Sequence, residues 1–367
     1  MRLLIVSNLD SAKPFGQFTR PFYLGRGLAR QGWEVANVGV DCARVDFGPA
    51  WSTHDQSLRR LAGATRHAVR AFGPDLVYAH QNLPGIAALL ATRGVPVVAD
   101  YHALPSLEWK VLADAAPAGE RRGLRLAQHK ADAAERTLAR FAHGSVAAGA
   151  GLAEDIVARL DPARRPAVVP NGIPDELLRA PRTPSPYGSP NGVRHAVATL
   201  PKAASAANEH SFALLVEMAH ELDRQDARVV VHVLGSDDGP RAPGVVYHGV
   251  QDSLVPWIEH ADVCLLPAPA EAALAGGARN KLLEYLGRGR CIVSTREGLR
   301  AMEGVAEWPG VHVTGDAPAE LARAVADAVR NGGPGLAANR ADIGRLSWDQ
   351  LSIGLGQALQ AAHAGAR

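Results

Sequence analysis

Short, uninterrupted apolar runs alternate along this chain with longer stretches in which apolar residues recur every three or four positions. The first kind, as in Arg2 to Ser7, Glu34 to Val40, Leu76 to His80 and Pro96 to His102, reads as strands buried on both faces. The second kind, as in Gly16 to Gln31 with Phe18, Phe22, Leu24 and Leu28, reads as helices with one buried stripe. The alternation continues through helices over about residues 56–72, 84–91 and 120–142, a strand at Ser145 to Ala148, a helix at Leu152 to Leu160 and a strand at Ala167 to Pro170. Such alternation implies a parallel sheet with helices on both faces, here filling residues 1–173.

Between residues 174 and 193 the pattern lapses. PRTPSPYGSPNG is dense in proline, glycine and serine, which predicts a linker and not a core element. The alternation then restarts over 194–349, with strands at His195 to Leu200, Arg228 to Gly235, Val245 to Gly249, Asp262 to Leu266, Cys291 to Thr295 and Val311 to Thr314. Ser211 to Leu222, Leu254 to His260 and Ser347 to Ala364 read as helices. The predicted fold class is α/β, with two Rossmann-like doubly wound parallel-sheet domains. Ligands of open α/β sheets lie outside the carboxyl ends of the strands, so the two sheets are expected to face each other across a cleft.

The segment Ala261 to Thr295 carries the most chemistry. A buried strand ends in Pro267; Gly276 and Gly277 follow, then the helix Arg279-Asn280-Lys281-Leu282-Leu283-Glu284-Tyr285-Leu286, and a second buried strand. Glycines before a helix let a ligand approach backbone N–H groups, and the helix N-terminus adds about half a positive charge there. A diphosphate suits such a place. Lys281 can add a full charge, and Glu284, about one turn further in, can accept hydrogen bonds from ribose hydroxyls.

NKLLEYLGRGRCIVST resembles the donor-binding core of the GT-B glycosyltransferases, in particular the retaining family 4 (glycosyl transferases group 1). VVPNGI at Val168 to Ile173, YHGV at Tyr247 to Val250, DLVYAH at Asp75 to His80 and PVVADYH at Pro96 to His102 resemble further motifs of that family, in its order. The resemblance implies a GT-B fold, an acceptor-side first domain onto which the tail over about 350–367 packs back, and a nucleotide-sugar-binding second domain. It assigns donor binding to Gly16, Gln17, Thr199, Lys202, Tyr247, Val250, Gly276, Gly277, Ala278, Arg279, Asn280, Lys281 and Glu284. His80 and His102 fall on the acceptor side, and His102 and Lys202 carry the catalytic expectation. Two departures stand out. TLPKAAS keeps Lys202 but lacks the family's arginine, and Gly276 stands where the first of two glutamates is common.

Composition narrows the class. With 47% hydrophobic and 21% charged residues, and no run of eighteen apolar positions, the chain reads as a soluble globular enzyme. The apolar run in MRLLIVSNLD is too short for a signal peptide, and Cys42, Cys264 and Cys291 are scattered, so a reducing cytoplasm is expected. Net charge is +2 but uneven, with 23 basic and 17 acidic residues through Ser185 and 16 and 20 after it. No basic run is dense enough for nucleic acid; a peripheral membrane contact is the most that this imbalance suggests. GxSxG, HExxH, Walker A and strand–GxGxxG–helix signatures are absent.

The expected activity is transfer of a sugar from a nucleotide-diphosphate sugar to a small polar acceptor, as in natural-product biosynthesis, with retention, without metal and without a cofactor. A lipid-linked acceptor, a catalytically silent partner protein and a nucleotide-sugar epimerase of the same fold are the alternatives. The base, the sugar, the acceptor atom and the oligomeric state are not written in the sequence.

Overall fold

A computed structural model describes residues 1–7, 19–40, 45–53, 55, 57–179, 181–188, 192–200, 206–269, 279–300, 302–331 and 340–366. The chain divides into two compact units, one of Met1–Gly172 with Leu346–Arg367, the other of Ile173–Leu274 with Ala278–Arg345. Each is a Rossmann-like unit built on a parallel sheet.

In the first unit the order is β1 (Arg2–Val6), α1 (Thr19–Arg30), β2 (Glu34–Val40), β3 (Ala50–Thr53), α2 (Leu58–Phe72), β4 (Leu76–His80), α3 (Asn82–Ala91), β5 (Val97–Tyr101), α4 (Pro105–Ala115), α5 (Ala118–Phe141), β6 (Gly144–Ala147), α6 (Ala150–Leu160) and β7 (Ala167–Val168). The strands pair in the order β3-β2-β1-β4-β5-β6-β7, all parallel. The order reverses between β1 and β4, so their carboxyl ends form a switch point where a ligand crevice opens. Alternate residues feed opposite cores. Leu3 and Ile5 join Leu24 and Leu28 of α1 on one face, while Leu4 and Val6 join Leu61 and Ala68 of α2 on the other. Ser57 accepts from the Arg60 N–H at the start of α2, and Gly73 ends that helix at φ 60°, a left-handed conformation that glycine adopts without Cβ strain.

The second unit continues with α7 (Asp175–Arg179), β8 (Arg194–Thr199), α8 (Ala206–Arg224), β9 (Val229–Leu234), β10 (Val245–Tyr247), α9 (Val255–His260), β11 (Val263–Leu266), α10 (Asn280–Gly287), β12 (Ile292–Thr295), β13 (Val311–Thr314), α11 (Pro318–Arg330) and α12 (Arg340–Arg345). Its parallel sheet runs β10-β9-β8-β11-β12-β13, with the switch point between β8 and β11. The last helix, α13 (Trp348–Ala364), belongs to the first unit, where Leu355 and Leu359 pack with Leu28 and Trp348 stacks on Tyr23. Among the described residues no helix is long and apolar enough to cross a membrane.

The proline-rich segment departs from the sequence expectation. Its Tyr187 is buried in the second unit, stacked on His195 at 4.4 Å, and its hydroxyl donates to the Trp257 carbonyl at 2.6 Å. One aromatic ring supplies enough apolar area to anchor a segment whose other residues favour turns.

Candidate functional site

Register and alternation assemble a polar cluster at the carboxyl edge of the first sheet. His80 ends β4 and pairs in register with Asp100 of β5, so their side chains project from the same face of adjacent strands. His102 lies two residues beyond Asp100, on the same side again. The result is a triangle. His80 Nδ1 and His102 Nε2 each stand 2.8 Å from Asp100 Oδ2 and 3.0 Å from one another. Arg20 of α1 donates from Nε to Oδ2 at 2.8 Å and from Nη2 to Oδ1 at 2.9 Å, and its Nη1 reaches the Pro170 carbonyl at 3.1 Å.

The cluster is enclosed, and its charge states follow from that. Burial opposes ionisation of Asp100, but Arg20 above all, then His102 and His80, hold its carboxyl well below the usual carboxylate range. Burial likewise works against the Arg20 guanidinium, and Asp100 outweighs it, so the arginine stays charged. Burial lowers His80 to about 4 against the pull of Asp100, leaving a neutral ring at neutral pH. Gln81, directly after His80, holds φ 67°, a left-handed conformation that costs a non-glycine residue energy and often marks functional sites.

In the second unit α10 follows β11 of the switch-point pair. Tyr285 is wholly buried and ties the region together: its hydroxyl oxygen accepts from the Thr199 N–H at 3.0 Å, and the hydroxyl donates to Thr199 Oγ1 at 3.3 Å. The loops after β8, β9 and β10 are also joined, by Ser236 Oγ donating to the Leu200 carbonyl at 2.7 Å and Gly235 N–H donating to the Gly249 carbonyl at 2.7 Å. Gly235 and Gly249 have φ of 94° and 67°, which a close turn of this kind requires. On α10, burial lowers Lys281 to about 8 and raises Glu284 to about 7, each moderated by the other's charge. Glu284 Oε2 is enclosed and has no hydrogen-bond partner among the described residues.

Residues 18–172 match the glycosyl transferase 4-like domain, and residues 200–331 match glycosyl transferases group 1. The chain is a GT-B fold glycosyltransferase. The fold agrees with sucrose-phosphate synthase from Thermosynechococcus elongatus at a TM-score of 0.69 and 16% identity, covering 99% of this chain and 100% of that one. A glycosyltransferase from Rickettsia africae matches at 0.70 and 13%, covering 98% of each chain. Anabaena HepE, in a complex with UDP and glucose, matches at 0.64 and 16%, covering 98% of this chain and 100% of its own. No curated protein matches the chain in sequence.

Within this glycosyltransferase, several expected site residues come together. His80 and His102 share the first-unit triangle, Thr199 adjoins Tyr285, and Lys281 and Glu284 share one face of α10. Asn280 opens that helix. Others are engaged elsewhere. Arg279 donates to the Glu297 carbonyl at 3.2 Å and to its carboxylate at 3.1 Å. Tyr247 packs beside Phe212 and donates to the Pro240 carbonyl at 2.8 Å, while Val250 is 88% exposed. Gly16, Gln17, Lys202, Gly276, Gly277 and Ala278 lie outside the described residues.

One expectation is corrected. The sequence implies neither a metal nor a cofactor, yet His80, Asp100 and His102 bring three ligand atoms within 4.8 Å of one another, an arrangement able to hold a metal ion. No short sequence motif announces it, because the residues sit on two strands and a strand end, and only the β4–β5 register unites them. Asp100 and Arg20 were missed for related reasons. Asp100 stood in view as the charged residue of an otherwise apolar strand, two before His102, and that was its only signal. Nothing in the sequence around Arg20 marks it as Asp100's partner.

A second histidine group lies in the other unit. His195, His232 and His248 share one face of β8, β9 and the end of β10, stepping diagonally across the sheet. His195 Nδ1 is 3.0 Å from His232 Nε2, and His232 Nδ1 is 2.9 Å from His248 Nε2. Tyr187 and Trp257 flank the line, and burial lowers His232 to about 4.

Proposed function

We propose that this glycosyltransferase moves a glycosyl group from a nucleoside-diphosphate sugar to a small polar acceptor, with retention of configuration, the second unit binding the donor and the first the acceptor. The observation that carries the donor reading is the enclosed Oε2 of Glu284, without a hydrogen-bond partner among the described residues, one turn into α10 and beside Lys281. A buried carboxylate oxygen lacking a donor is costly, and a ribose hydroxyl supplies the missing bond. Lys281 then supplies positive charge to the diphosphate. His102 and His80 serve the acceptor side. The glucose and UDP held by Anabaena HepE make a uridine diphosphate sugar the first donor to test. The free, buried thiols of Cys264 and Cys291 suit a cytoplasmic enzyme.

In this reaction the acceptor hydroxyl oxygen bonds to the anomeric carbon as that carbon's bond to the leaving phosphate oxygen breaks. The hydroxyl proton passes to the departing phosphate. Positive charge at Lys281 stabilises the negative charge that builds on the diphosphate.

Calorimetric titration with UDP, GDP and dTDP tests the reading. One nucleotide should bind, and Glu284→Ala should weaken it by about 1–3 kcal/mol. Affinity should rise through pH 7 as Glu284 ionises and fall above pH 8 as Lys281 loses its proton. A wild-type chain that binds none of the three, or an unchanged dissociation constant in the variant, would count against the assignment.

A further inference from the structure

We propose that His80, Asp100 and His102 form a binding site for one divalent transition-metal ion of borderline hardness, zinc being the first candidate, with Arg20 fixing the carboxylate from behind. The inference does not rest on the donor assignment above.

Three observations carry it. The first is convergence. Nδ1 of His80, Nε2 of His102 and Oδ2 of Asp100 lie 2.8–3.0 Å apart pairwise. Tetrahedral zinc with nitrogen and oxygen ligands at about 2.0–2.1 Å holds those atoms roughly 3.3 Å apart, so an expansion of a few tenths of an ångström admits the ion.

The second is crowding at one oxygen. Asp100 Oδ2 faces Arg20 Nε, His80 Nδ1 and His102 Nε2, all at 2.8 Å. A carboxylate oxygen offers two lone pairs. If both imidazoles donate to it, their N–H groups lie side by side across a 3.0 Å gap, where neither can accept from the other. A single ion in place of those two protons gives all three ligand atoms a common partner and leaves Arg20 its bond to the carboxylate.

The third is shelter. The side chains of His80 and Asp100 are 3% and 0% exposed, and that of His102 is 12% exposed, so the ion would be screened on every side but one. Two imidazoles and one carboxylate favour zinc, cobalt or iron(II) over magnesium or calcium, which prefer all-oxygen shells. The guanidinium has a definite consequence. Arg20 already balances Asp100, so a bound divalent ion leaves the cluster with two net positive charges. Affinity should therefore be lower than for the same ligands without the arginine, and the open position should favour an anionic ligand.

The test uses the full chain, stripped with a chelator and dialysed. Titration with Co²⁺ should develop visible ligand-field bands, and elemental analysis after equilibrium dialysis against Zn²⁺ should give one ion per chain. His80→Gln and His102→Gln should each weaken Co²⁺ binding at least tenfold. His195→Gln, which alters the histidines of the second unit, should leave it unchanged. Circular dichroism shows whether each variant is folded, and the wild-type stoichiometry is decisive even if a variant is not. No retained ion in the wild-type chain overturns the proposal, as does an ion held equally by the His80 and His102 variants or lost on changing His195. Nucleotide titration of the same samples reads the second unit separately, so failure of one reading leaves the other standing.

Discussion

Each unit of this glycosyltransferase groups histidines on one face of a parallel sheet, two in the first and three in the second, and the two groups differ in what lies among them. In the first, Asp100 occupies the centre, so His80 and His102 turn inward to one oxygen and Arg20 closes on the carboxylate from α1. In the second no carboxylate intervenes. His195, His232 and His248 bond in series, each end nitrogen reaching a different nitrogen of His232, and aromatic rings cover them. One carboxylate therefore decides between a point and a line. A point can be shared by an ion, whereas a line whose middle ring uses both nitrogens on its neighbours has no common focus. The contrast is also one of charge. The first group encloses an ion pair that burial makes costly to break, and the second is stable as a row of neutral rings.

Removing the carboxylate should give the largest effect. Asp100→Ala leaves the Arg20 guanidinium buried at 2% exposure without its partner. Stability should fall by about 3–5 kcal/mol, read from urea midpoints. The matching change in the line, His232→Phe, removes neutral hydrogen bonds and keeps an aromatic ring in place. It should cost about 1–2 kcal/mol. Equal costs would erase the distinction between a charged and a neutral group.

Acid separates the two further. His232 is pushed down to about 4, first by burial and then by His248 and His195. Below pH 6.5 the unfolded chain takes up a proton that the folded chain refuses. Its contribution is thus complete above pH 6.5 and is lost as the pH falls toward 4. Unfolding curves of wild type and His232→Phe should converge over that window. Curves that stay parallel would mean the ring is already charged, or free to charge, in the folded state.

How much of this could be read beforehand depends on whether the signal is local. β1, β4, β5, β11 and β12 are short apolar runs because both faces of a central parallel strand are covered, and that pattern is visible in any window of six residues. β3 escaped notice, since Ala50–Thr53 is a four-residue edge strand paired only with β2 and carries no apolar run. α4 and α11 each begin with proline at the first turn, and in α11 half of the buried stripe is alanine, beside Leu321, Val325 and Val329, which weakens its apolar signal. Lys281 and Glu284 were legible because helix spacing alone puts them together. His80 and His102 were legible as strand ends, but the triangle they form was not. It depends on which residue of β4 faces which residue of β5, and register is a property of the folded sheet.

Tyr187 yields the smallest expected effect and the sharpest view of the line's cover. Its hydroxyl donates to the Trp257 carbonyl, and its ring lies parallel to His195, with an interplanar angle of 6°. Tyr187→Phe keeps the ring and deletes one hydrogen bond, so it should cost about 1 kcal/mol and leave the acid sensitivity unchanged. Tyr187→Leu also removes the stacked face. Burial is the main reason His195 sits below its ordinary value, so opening it to water should move it back toward that value and make the acid loss shallower. NMR titration of the histidine ring protons distinguishes the two variants. A His195 that titrates identically in both would show that the sheet and Asp262, and not the tyrosine from the proline-rich segment, set its environment.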